Sequence, residues 1–141
     1  MVWVGDDVSV HMPEEIHGAV QQLVDTFETN DPFRLSRLLH LHLLPGRTPA
    51  GIWGILMRYD NESFFGYDIS ISADKQRIYI AHEIGHLVLH GDHAPLFLEL
   101  DEPRPSALEA EAQAFATDLL QEPERSLLQL NENWVLGHLG P

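Results

Sequence analysis

Cysteine is absent from the 141 residues, which excludes disulfides, thiol catalysis and every metal site built on thiolates. A bound metal would have to rest on histidine and carboxylate. Basic side chains are scarce: eight Lys and Arg stand against 22 Asp and Glu, a formal charge of −14. A phosphate backbone is repelled by such a surface, so direct nucleic-acid binding is not expected. Long apolar runs are missing too. The stretch Gly51 to Met57 falls far short of the ~20 residues that cross a bilayer, so no membrane span is expected. Met1 to Asp7 has neither the basic start nor the apolar stretch of a secretory signal, and the expected location is the cytoplasm. What the chain does have is 44% hydrophobic and 9% aromatic residues, enough for one core. The length fits a single domain over residues 1–141.

Apolar periodicity predicts the helices. After Pro13-Glu14-Glu15, the residues Ile16, Val20, Leu23, Val24 and Phe27 recur at helical steps. Asp31-Pro32 reads as an N-cap and first-turn proline for a short second helix carrying Leu35, Leu38 and Leu39. Leu41 to Leu44 is read as a short strand, followed by a loop over Pro45 to Pro49, and Gly51 to Met57 as a strand buried on both faces. Turn residues Asp60 to Ser63 precede Phe64 to Ser72, where Ile69 and Ile71 alternate with polar residues, as in a half-exposed edge strand. Lys75 to His90 is apolar around most of its circumference and so reads as a buried helix closed by Gly91. Residues 92–105, rich in Pro, Asp and Glu, read as a connecting loop. Ser106 to Glu109 fits a capping box opening a helix that ends before Pro123, and Leu127, Leu128 and Leu130 allow a last helix.

The chemistry lies in His82-Glu83-Ile84-Gly85-His86. Two imidazoles four residues apart share one helix face and reach one ion, which is the spacing used by zinc hydrolases. Glu83, offset by one position, lies beside such an ion and accepts a proton from water. A buried apolar helix holds three such groups only when they are paired or bound to metal. The alternative is two hydrogen-bonded core histidines with Glu83 as a buried salt-bridge partner, which the cost of burying polar groups disfavors.

A catalytic zinc needs a third protein ligand. Glu109 and Glu111 are about 200° apart on their helix, so only one faces the metal. The capping box accounts for Glu109, whereas Glu111 sits among alanines that permit close helix approach, which favors Glu111. A ligand just after the zinc helix, as in HExxHxxGxxH, would need glycine where Leu89 stands, with Asp92 at the ligand position and His93 one step late.

The run Ile80 to His90, followed about 20 residues later by Glu109-Ala110-Glu111-Ala112-Gln113-Ala114-Phe115-Ala116, Leu119-Leu120 and Pro123, resembles the ImmA/IrrE family of metallopeptidases. The likeness covers roughly residues 14–124 and takes in the Asp31-Pro32 helix, the Ile69-Ser70-Ile71-Ser72 strand and Gln76-Arg77 before the zinc helix. It implies an α+β, gluzincin-like fold, a small mixed sheet packed against helices with the HExxH helix at the active site. It also implies zinc on His82, His86 and Glu111, with Glu83 as catalytic base. Relatives typically cleave a helix-turn-helix repressor and so relieve repression, and a substrate of that class is implied here. Gln113 departs from the family, which commonly has Asn or Asp there.

The expected activity is therefore that of a zinc endopeptidase, with Mn²⁺ or another divalent ion able to substitute. Tyr67, Tyr79, His90 and His93 are candidates for stabilizing the oxyanion. The strand Phe64 to Ser72 is a candidate for pairing with an extended substrate. Two other readings compete: a zinc-containing protein that sequesters a repressor or another partner without cutting it, and a zinc hydrolase of small amides or of cell-wall peptide, the latter disfavored by the lack of a signal sequence.

Overall fold

A computed structural model describes residues 11–91, 96–102 and 106–123. The order of elements is α1 (Pro13–Phe27), α2 (Pro32–Leu38), β1 (Leu41–Gly46), β2 (Ile52–Tyr59), β3 (Glu62–Asp68), α3 (Ala73–His90), β4 (Leu96–Leu100) and α4 (Ala107–Gln121). The fold is α+β, with four helices and a mixed four-stranded sheet among the described residues. No helix among them is long and apolar enough to cross a membrane. The helix proposed for Leu127 to Leu130 lies outside the described residues.

Local chemistry starts each helix. The Glu15 carboxylate accepts the Met12 N–H at 2.9 Å, and Asp31 accepts from Phe33 N. Ser72 caps α3 by accepting from Lys75 N, and Ser106 caps α4 by accepting from Glu109 N at 3.0 Å. Between β2 and β3 the turn residues Asp60 and Asn61 both have positive φ, 53° and 65°. Such a two-residue turn matches the twist of a hairpin, and Asp and Asn tolerate it better than most residues.

The strands run β1-β3-β2-β4, with β1 parallel to β3 and the other neighbors antiparallel. Five expectations change. β3 lies inside the sheet, paired on both sides, so it is not an edge. It also stops at Asp68, whose carboxylate accepts the Ser70 N–H at 2.9 Å and turns the chain toward the α3 cap, leaving Ile69 exposed. The apolar alternation through Ile71 belongs to this turn. β1 extends through Pro45 and Gly46, which pair with Tyr67 and Asp68. The stretch read as a loop over 92–105 contains β4, an edge strand on β2. β2 itself is less enclosed than expected, since Met57 is exposed.

One core joins Leu41, Leu56 and Phe65 of the sheet to Ile80 and Ile84 of α3, Phe115 and Leu119 of α4, and Val20 and Val24 of α1. Gly54 admits no side chain there, because a Cβ would fall 2.5 Å from the Phe65 ring. Gly85 is also tightly placed: a Cβ would meet Ala112 O and Phe115 Cβ at 3.1 Å, so the neighboring helix would have to give way. This is where α3 and α4 touch, and the contact sets the distance between the two helices that carry the site. Gly85→Leu is expected to destabilize the metal-free protein by about 1–3 kcal/mol or more, since overpacking a rigid helix contact forces backbone movement. Chemical denaturation read by circular dichroism checks this, and an unchanged midpoint would contradict the close approach.

Candidate metal centre

α3 brings His82, Glu83 and His86 into the interior, all buried. The two Nε2 atoms converge on one carboxylate from α4. His82 Nε2 lies 3.1 Å from Glu109 Oε2 and His86 Nε2 lies 2.8 Å from Glu109 Oε1. Glu99, delivered by β4, places its Oε1 3.5 Å and 3.2 Å from the same two nitrogens. One ligand atom each from His82, Glu83, His86 and Glu99 lies within 4.8 Å of the others. Three elements thus converge on one point.

Outside the carboxylates, each imidazole has a partner on its other nitrogen. His82 Nδ1 is 3.3 Å from Gln113 Oε1, one helical turn beyond Glu109 on the same face of α4. His86 Nδ1 is 3.1 Å from His90 Nδ1. Such contacts orient ligand rings and select their tautomer. The His82 ring has an acceptor at both ends, Gln113 and Glu109, but a neutral imidazole carries a single proton. Its second acceptor is satisfied either by an extra proton or by a cation lying on Nε2.

The electrostatics follow from burying three carboxylates together. Burial, then the negative charge of Glu99 and Glu109, raises Glu83 well above the ordinary carboxylate range. Both Glu83 oxygens are buried without a hydrogen-bond partner, and so is Glu99 Oε1. Burial works against protonated His82, yet its contacts with Glu109 and Glu99 prevail and lift its pKa to about 10. His86 is raised against burial by the same two partners. Glu99 and Glu109 are lowered against burial, Glu99 by Glu83 and the two imidazoles and Glu109 by the imidazoles. Without a metal, the cluster draws its positive charge onto the two rings as protons. Imidazole and carboxylate donors, with orphaned oxygens beside them, fit a divalent cation such as zinc.

Glu111 is not brought to the histidine pair. Its Oε1 lies 3.1 Å from His90 Nε2 and 2.7 Å from His11 Nδ1, on another flank of α4. The expectation that the capping box uses up Glu109 accounts for the difference. Ser106 takes the Glu109 backbone N–H, and the Glu109 side chain remains free to turn toward α3. Sequence reasoning also missed Glu99, although Leu96-Phe97-Leu98-Glu99-Leu100 is a strand-length apolar run holding a single acid.

A cavity of about 500 Å³ adjoins the pair, lined by Trp53, Tyr79, His82, Glu99, Glu109 and Gln113 among others. Trp53 stacks on Tyr79 at 3.7 Å between ring centroids and donates its indole N–H to Leu100 O at 3.1 Å. Of the residues considered for an oxyanion, Tyr79 lines this cavity. Tyr67 is buried in the sheet against Phe65, with its pKa raised by burial. His90 sits behind His86, and His93 lies outside the described residues.

A protein from Bacillus phage phi105 described as "Uncharacterized immunity region protein 2" is 24% identical over 106 residues, spanning 74% of this chain and 67% of its own length. The model of the family Peptidase_M78, described as "IrrE N-terminal-like domain", matches residues 56–134, a span that takes in β3, α3, β4 and α4. The chain belongs to this peptidase family.

Proposed function

We propose that the chain is a zinc-dependent endopeptidase in which His82, His86 and Glu109 hold the metal and Glu83 is the catalytic base. The observation that carries this reading is the convergence of both Nε2 atoms on Glu109, with the unpartnered Glu83 carboxylate beside them. Glu109 is preferred to Glu111 because it touches both rings, and because Gln113, four residues on, supports His82 from the same face.

Zinc in this setting supplies positive charge that acidifies water and polarizes a peptide carbonyl. The chain's own groups do the rest. Glu83 takes the proton from water as the water oxygen bonds to the peptide carbon, and delivers that proton to the amine that leaves when the C–N bond breaks. Tyr79, at the cavity wall, is the candidate hydroxyl for the developing oxyanion. An extended substrate pairs with β4 rather than with β3. β4 is an edge and contributes Glu99 to the site, whereas both sides of β3 are occupied.

The substrate proposed is a helix-turn-helix transcriptional repressor, cut in the cytoplasm by a single metallopeptidase domain so that repression is relieved. Family resemblance and the immunity-region name of the phage relative support this class. The charge of −14 favors a basic partner such as a DNA-binding protein. The test incubates zinc-loaded protein with the repressor-like protein encoded beside it. A defined cut that disappears with a chelator is expected. An intact substrate in both arms, from a protein shown to hold zinc, would reject this substrate.

A further inference from the structure

Behind His86 runs a second line of buried polar groups that the catalytic reading does not use. His86 Nδ1 meets His90 Nδ1 at 3.1 Å, His90 Nε2 meets Glu111 Oε1 at 3.1 Å, and the same oxygen meets His11 Nδ1 at 2.7 Å. His90 and Glu111 are as buried as the site itself, while His11 is 22% exposed and lines a separate cavity with Glu111. The line therefore starts at the candidate metal ligand and ends near solvent.

We propose that His90, Glu111 and His11 form a positioning relay that fixes the ring and tautomer of His86. The proposal rests on the metal reading above. A neutral ring that gives Nε2 to a metal keeps its one proton on Nδ1. His86 Nδ1–H then donates to His90 Nδ1, which leaves the proton of His90 on Nε2, and that N–H donates to Glu111. Each donor meets an acceptor only in this direction. The carboxylate at the end makes His86 a better electron donor and holds its plane.

The competing use of these side chains is a second cation, since ligand atoms of His11, His90 and Glu111 also lie within 4.8 Å of one another. The proton count disfavors it. With metals on both Nε2 atoms, two neutral rings would point N–H at N–H across 3.1 Å. One ion with a relay leaves no such conflict.

The test compares wild type, Glu111→Gln, His90→Phe and Glu109→Gln for zinc stoichiometry, zinc affinity against a chromophoric chelator, and the His86 Nδ1–H resonance in protein labeled with ¹⁵N-histidine. Wild type is expected to bind one zinc per chain. Glu111→Gln, which preserves shape and an acceptor, and His90→Phe should weaken zinc by about 10- to 100-fold. The hydrogen-bonded N–H signal should survive the first change and vanish in the second. Two zinc ions in wild type and one in Glu111→Gln would replace the relay with a second metal site. A Glu111→Gln loss as large as that of Glu109→Gln would make Glu111 a ligand. Unchanged affinity and signal in both relay variants would show the line to be idle. A wild type that takes no zinc, or a Glu109→Gln that binds as well as wild type, overturns the metal reading itself. Should His90→Phe misfold, Glu111→Gln still decides between these outcomes.

Discussion

Glu83→Gln is expected to lower turnover by about 10²- to 10⁴-fold while zinc content stays at the wild-type level, the range by which a positioned general base accelerates a reaction. Glutamine keeps the volume of a side chain that is fully buried, so packing against α3's neighbors is preserved. It removes the group proposed to shuttle the proton. It also removes a carboxylate whose ionization is opposed by burial and by Glu99 and Glu109, so the metal-free variant should be at least as stable as wild type. Single-turnover cleavage and metal analysis on the same preparation make the measurement. If repression were still relieved by the variant, the sequestering alternative would stand and peptide hydrolysis would be incidental.

The second large effect concerns the third ligand. Glu109→Gln is expected to weaken zinc binding by about a thousandfold, because a site worth on the order of 10 kcal/mol or more would lose one of its three proposed protein ligands. Glutamine still fills the space between His82 and His86 and can accept one hydrogen bond, but it brings no charge. Glu99→Gln is the instructive comparison. Glu99 Oε1 lies near both rings, at 3.5 Å and 3.2 Å, without a directed hydrogen bond to either, so the loss expected there is smaller. Competition with a chelator orders the two variants, and the rise in melting temperature on adding zinc should shrink in the same order. The reverse order would assign the ligand role to β4.

How much of this was legible beforehand varies with the range of the interaction. α1, α2, α3 and α4 were all readable because periodicity and caps act within a few residues, and Asp31 and Ser106 do accept the N–H groups that begin two of them; Ser72, assigned to a strand, caps α3 instead. The hairpin turn at Asp60-Asn61 was readable for the same reason. β3 was misread as an edge because strand order is a matter of long-range pairing: β1 returns parallel to cover it, and no residue of β3 announces that. β4 was missed because its five residues sit among the Pro, Asp and Glu of a stretch that is otherwise connecting chain.

The choice between Glu109 and Glu111 shows the same limit inside the site. Both lie on α4, two positions apart, and local rules favored Glu111 by assigning the neighboring carboxylate to the cap. The packing of α4 on Gly85 rotates Glu109 and Gln113 toward His82 and His86, and turns Glu111 toward His90 and His11.

From its sequence alone this protein declared that any metal must use histidine and carboxylate, that His82, Glu83 and His86 share one stretch of buried helix, and that helices dominate its frame. Those properties depend on composition and on spacings shorter than two helical turns. Only the tertiary structure decided which acids lie against the two imidazoles, which strands stand at the edges of the sheet among the described residues, and what stands behind His86. Each of these is set by where separate elements meet, and that depends on shape, close approach and shared burial across the whole chain.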